Sequence, residues 1–139
     1  MKSALLFEKD VESSIKTARM LKSLGYVPAP VRTPFEALNV ARAINFDVIV
    51  TCTIRIPNDR RSLAGELKRV APEAAVVIIC EHDDRDAGEE ASYSHGISAV
   101  IRRPPSAEAL RRVVEFGIDG YGLQPGYISP DQERRKHTF

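Results

Sequence analysis

Long hydrophobic runs are missing from this sequence. No apolar stretch approaches the roughly 20 residues needed to cross a bilayer, so nothing in the pattern points to a membrane. Cysteine is scarce. Cys52 and Cys80 are the only two, and they lack metal-ligand spacing, which fits a reducing compartment rather than a disulfide scaffold. An excess of charge of one sign is also absent. Twenty basic residues stand against 19 acidic ones, and a net charge of +1 argues against a dedicated nucleic-acid surface. There is no glycine-rich phosphate loop and no nucleophile-elbow glycine pattern, so P-loop chemistry and Ser-His-Asp hydrolysis find no support. His82 and His95 have no partner at metal-ligand spacing, and neither a metal nor a cofactor is expected. Internal repeats and low-complexity tracts are lacking. Met1-Lys2-Ser3 leads straight into an apolar run and does not read as a signal peptide. The cytoplasm is the expected compartment.

What is present is an alternation of strand and helix patterns within 139 residues, a length that suits one domain. Ser3–Phe7 is a short apolar run bounded by charge and predicts a first strand. Asp10 caps a first helix with Val11, Ile15, Ala18, Leu21 and Leu24 on its apolar face, ending at Gly25. Tyr26–Val31 predicts a second strand, and Pro28 and Pro30 confine it to a sheet edge. Thr33-Pro34-Phe35-Glu36 is a helix start: Thr33 caps, Pro34 takes the first helical position, and Glu36 reaches back to the cap. That helix runs to about Ala43, with Ala37, Val40, Ala41 and Ile44 inward.

Val48–Thr51 is the third strand. Leu63, Leu67 and Val70 predict a third helix, stopped by Pro72. Ala74–Cys80 is apolar throughout, as an interior parallel strand buried on both faces would be. A polar helix over Ala87–His95, a fifth strand at Ala99–Ile101 and a final helix capped by Ser106 complete the set, with Leu110, Val113, Val114 and Ile118 inward. Right-handed crossovers then give a doubly wound, flavodoxin-like α/β sheet of five parallel strands in the order 2-1-3-4-5. Residues 1–120 form this domain. Residues 121–139 fall outside the pattern and read as a C-terminal extension or linker, with Tyr121, Leu123, Tyr127, Ile128 and Phe139 as apolar anchors.

An open α/β sheet places its site at the carboxyl ends of its strands. The segments there are "LLFEKD", "FDVIVTCTIRIP", "VVIICEHDD" and "VIRRPPSAEAL". Together, in order and at these spacings, they resemble the receiver domain of bacterial response regulators over residues 3–119. The resemblance implies a phosphate-accepting aspartate at the end of strand three. Counting from Asp47 puts that position at Cys52, and counting back from Pro57 puts it at Thr53. The family's adjacent acidic pair, which holds Mg²⁺, matches Glu8 and Lys9, with Asp10 next. Its strand-four Thr or Ser matches Cys80, its strand-five Lys matches Arg103, and its switch aromatic matches Val100. A thiol or hydroxyl cannot form the family's acyl phosphate, and an ammonium repels a divalent cation. The resemblance is therefore to a degenerate receiver, and the expected function is a non-catalytic signalling module that acts by protein contact without aspartyl phosphorylation.

Three uses of the altered pocket stand open. Lys9 and Arg103 can pair with Glu8 and Asp10 in a salt-bridge network that fixes one conformation. Cys52 and Cys80, at the ends of neighbouring strands, can form a thiol redox pair whose reactivity a nearby cation would raise. Lys9, Arg55, Arg60, Arg61 and Arg103 can converge to bind an anion, and a phosphorylatable receiver is the related alternative. The resemblance further implies an interaction face built from the fourth helix, fifth strand and last helix, including Tyr93, Val100, Arg102, Arg111, Arg112 and Glu115. A homodimer, another protein or an effector domain in transcriptional control would use that face. The basic run Arg134-Arg135-Lys136 is too short to argue for nucleic acid.

Overall fold

A computed structural model describes residues 2–52, 62–80, 97–103, 105–116 and 127–128. In chain order these give β1 (Lys2–Phe7), α1 (Val11–Ser23), β2 (Tyr26–Val31), α2 (Pro34–Ala43), β3 (Val48–Cys52), α3 (Leu63–Val70), β4 (Ala75–Cys80), β5 (Ile97–Arg102), α4 (Ala107–Phe116) and β6 (Tyr127–Ile128). The helix expected over Ala87–His95 lies outside the described residues.

The five long strands are parallel in the order β2-β1-β3-β4-β5, as expected from the sequence, and the short β6 adds antiparallel beyond β5. Part of the tail thus joins the sheet, pairing Ile128 with Val100 and Tyr127 with Ile101. Two residues carry too little periodicity to read as a strand.

Pleat alternation divides the core between two faces. Leu5, Ile49, Val76, Ile78 and Val100 pack with Ala37, Leu38 and Ala41 of α2 and Leu63, Ala64 and Leu67 of α3. Ala4, Leu6, Val48, Val50, Val77, Ile79 and Ile101 pack with Leu21 of α1 and Ala109, Leu110 and Val113 of α4. Burying one such Leu or Ile side chain contributes roughly 1.5–3 kcal/mol.

The caps follow from local chemistry. Asp10, Thr33, Ser62 and Ser106 accept from the backbone N–H groups of Ser13, Glu36, Gly65 and Ala109. Glu36 reaches back as predicted, but its Oε1 accepts from the N–H of Arg32, one residue before the cap, at 3.1 Å. Gly25, at φ +91°, closes α1 in the left-handed region, which an L side chain rarely adopts.

Two inward faces differ from expectation. Val11 and Ile15 of α1 are about half exposed, whereas the polar Thr17 is buried. The apolar stripe of α1 is wider than its contact with the sheet, so its far side remains uncovered. Ile44 is exposed because it is the C-cap of α2, with extended backbone that leaves the helical period; Leu38 is buried in its place.

Candidate functional site

β1, β3, β4 and β5 end side by side, and each delivers one residue singled out by the sequence. Glu8 follows β1, Cys52 ends β3, Cys80 ends β4, and Arg103 follows β5. The sheet reverses its winding between β1 and β3, the position where open α/β folds hold their ligands.

Arg103 sets the geometry. Its N–H donates to the carbonyl of Cys80 at 2.9 Å and so prolongs the β4–β5 ladder. From there the guanidinium crosses the mouths of β4 and β3 and donates to Glu8 Oε1. β1 and β5 lie three strand spacings apart, about 14 Å, so both side chains must lean across the sheet edge to meet. The Glu8 side chain is 0% exposed and that of Arg103 20%. The second carboxylate oxygen, Oε2, is buried with no hydrogen-bond partner among the described residues.

The neighbours of Glu8 do not join this pair. Asp10 turns away to cap α1, where its Oδ2 accepts from both the backbone N–H and the hydroxyl of Ser13, each at 2.9 Å. Those two bonds, aided by the charge of Arg103, hold its carboxyl below the usual range. Lys9 is exposed and makes no ion pair among the described residues. Among the described residues the ion pair seen from the expected four-residue network is Glu8 with Arg103, because a carboxylate occupied as a helix cap cannot also reach across the sheet.

Cys52 and Cys80 are both buried thiols. The β3–β4 register pairs Cys52 with Ile79 and the β4–β5 register pairs Cys80 with Arg102, so the two are not cross-strand partners. Burial pushes the Cys52 thiol above its ordinary value; the Lys9 N–H opposes this, Glu8 adds to it, and the charges of Lys9 and Arg103 oppose it. The cations expected to activate the thiol are outweighed by desolvation. Beside it, Thr51 is fully buried and donates its hydroxyl to the Cys52 carbonyl at 3.0 Å. Thr53, Arg55, Arg60 and Arg61 lie outside the described residues.

These side chains do not suit a magnesium ion. Octahedral Mg²⁺ needs several oxygen ligands. Here one oxygen of Glu8 receives a guanidinium, Asp10 is committed to its cap, and an ammonium stands between them in sequence. Among the described residues no cluster of three or more His, Cys, Asp or Glu side chains could hold a metal.

The face expected for contacts is only partly present as drawn. Val100 is fully buried and so belongs to the core. Arg102 is half-buried, while Tyr93 and the side chain of Glu115 lie outside the described residues. On α4, Glu108 accepts from both Arg111 (2.7 Å) and Arg112 (3.2 Å), so these charges meet within their own helix. No described helix is long and apolar enough to cross a membrane.

A cleft the sequence reading did not anticipate lies beside the site. It has a volume of about 350 Å³, lies between α1 and β2, and has Glu8 at one end. Its signal in the sequence was Arg19 and Lys22, cations spaced i, i+3 next to the apolar positions of α1.

Comparison with known proteins agrees with this architecture. A response regulator receiver protein of Anaeromyxobacter sp. (strain Fw109-5) is 31% identical over 105 residues, which are 75% of this chain and 43% of that protein. The chain thus spans less than half the length of that relative. No family model matches. A receiver domain from Clostridium thermocellum superimposes with a TM-score of 0.71 at 20% identity, covering 86% of this chain and 95% of the other. The receiver domain of a Pseudomonas aeruginosa sensor histidine kinase, solved with magnesium coordinated in its active-site cleft, gives 0.69 at 21% identity, covering 85% and 98%.

Proposed function

Since this chain belongs to the response-regulator receivers, we propose that it is one whose phosphate site has been closed by an internal ion pair, and that it signals by protein contact without aspartyl phosphorylation. The observation that carries the reading is the Arg103–Glu8 pair. Arg103 stands where the family keeps a lysine for the phosphoryl group, and it is spent on the acid that would otherwise help to hold a metal. Cys52 supplies no carboxylate at the end of β3. Phosphoryl transfer through the family's chemistry needs an acceptor, a metal to neutralise charge and a cation to hold the product. The first two lack residues here and the third is occupied. The chain is then not an enzyme but a shape held in one state, read by a partner protein or effector domain.

A redox role for Cys52 gains nothing from its surroundings, since burial disfavours its thiolate.

The test is incubation with a small-molecule phosphodonor and Mg²⁺, read by intact mass. No phosphoryl adduct is expected on the parent chain. A hydroxylamine-labile adduct would overturn the proposal. In the same assay, C52D combined with K9D and R103K restores all three elements and is expected to gain the adduct.

A further inference from the structure

We propose that the cleft between α1 and β2 is a docking groove for an acidic amphipathic helix of a partner protein. It is a different surface from the ion-paired site, and the proposal stands whether or not the chain takes phosphate.

The floor of the groove is apolar. Val11, Ile15 and Ala18 come from α1, and Pro30 and Val31 from β2. Val11 is 48% exposed and Ile15 49%, on a helix that buries Thr17 and Leu21. Apolar side chains left open in one contiguous strip rather than singly mark an interaction surface. The lining runs from Val11 to Lys22, eleven helical steps or about 16 Å. That length matches about three turns of a partner helix.

The rim selects charge. Arg19, Lys22 and Arg32 border the groove, all three are exposed, and none is ion-paired among the described residues. The carboxylate at the end of the groove, Glu8, already receives Arg103. The rim is therefore positive and uncompensated, and carboxylates on the occupant complement it.

The backbone selects the conformation. An extended peptide would have to add to the free edge of β2. Proline fits a strand only where its missing N–H faces away from the neighbouring strand. Pro28 and Pro30 pair in register with Ala4 and Leu6 of β1, so the donors they lack are those of the open edge. A strand docking there finds too few N–H groups to pair with. A helix satisfies its own backbone and needs only a groove for its apolar i, i+4, i+7 face.

The experiment uses the full chain and a fluorescein-labelled helical peptide of about fourteen residues, with Leu at i, i+4, i+7 and i+11 and Glu elsewhere. Anisotropy is expected to show saturable binding that weakens with added salt, and a scrambled peptide of the same composition should bind at least about tenfold more weakly. Ile15→Glu should abolish binding, and R19E with K22E should lose the acidic peptide while gaining a Lys-for-Glu version of it. Lys16→Glu, on the other side of α1 where Lys16 pairs with Glu12, should leave binding unchanged. Circular dichroism of each variant establishes that it is folded. Equal binding of the scrambled peptide, or an unchanged affinity in folded Ile15→Glu, would overturn the proposal. So would a dimer of the parent chain that Ile15→Glu converts to monomer, because a second copy would then be the occupant.

Discussion

Two regions of this protein use the same chemical pairing, an arginine against a glutamate, to opposite ends. At the strand mouths, Arg103 and Glu8 come from opposite parts of the chain and meet at a side chain with no solvent exposure. On α4, Arg111 and Arg112 share Glu108 within one helical turn, at side chains between 35% and 48% exposed. Water and salt can replace either partner on α4, so the pairs there add little to stability. At the strand mouths the Glu8 side chain has no solvent exposure, so water does not replace its partner. Removing Arg103 strands the Glu8 carboxylate in the interior, which costs more than breaking an exposed pair. Residue type does not separate the two regions; access to water does.

Substitution at Arg103 should have the largest effect. R103A leaves the Glu8 carboxylate buried and unpaired, and urea denaturation should record a loss of about 3 kcal/mol, the lower end of the range for such pairs because Arg103 is partly exposed. An unchanged midpoint would mean that water already solvates Glu8. A sharper test replaces both partners. Glu8→Leu with Arg103→Met should return to within about 1 kcal/mol of the parent, since well-packed apolar groups offset a lost buried pair. A double variant as weak as R103A would argue that the pair stabilises the fold outright.

Cys52 extends the contrast to a thiol in the same buried region. Its raised pKa means that the folded protein keeps the proton when the unfolded chain has begun to lose it. Stability should therefore fall as pH rises past the ordinary thiol value of 9.0. At pH 8, iodoacetamide should label native Cys52 far more slowly than denatured Cys52, by peptide mass spectrometry. Equal rates would revive the redox reading.

The smallest effect belongs to Glu108. Hydrogen bonding and charge from Arg111, then Arg112, hold its carboxyl below the ordinary value of 4.5. A carboxyl depressed in the folded state contributes above its unfolded pKa, and the contribution is lost as pH falls through the folded one. Glu108→Ala should thus be nearly silent at neutral pH in physiological salt. Its small deficit at low ionic strength should vanish in acid. A deficit that survives high salt would show that these charges of α4 are not simply solvated.

These contrasts also mark what could be read from residues in order. The caps at Asp10, Thr33 and Ser106 were legible because a cap acts over three residues. Pro28 and Pro30 announced the edge strand because proline carries its constraint with it. The apolar run of β4 announced an interior strand. The inward face of α1 was only half right, since Val11 and Ile15 repeat at helical spacing like core residues but stay about half exposed. Asp10 was assigned two roles by sequence and keeps one, because its carboxylate is taken by Ser13.

Local structure and the winding of the sheet were legible in the residues taken in order, as was the lack of an aspartate at Cys52. Each of these depends on backbone constraint, side-chain type or periodicity over a few neighbours. That Arg103 reaches Glu8, that Cys52 is desolvated and that α1 leaves a cationic groove open beside β2 emerged from the folded arrangement alone. Burial and ion pairing depend on which distant groups exclude water from a given atom, and no short stretch of chain contains that information.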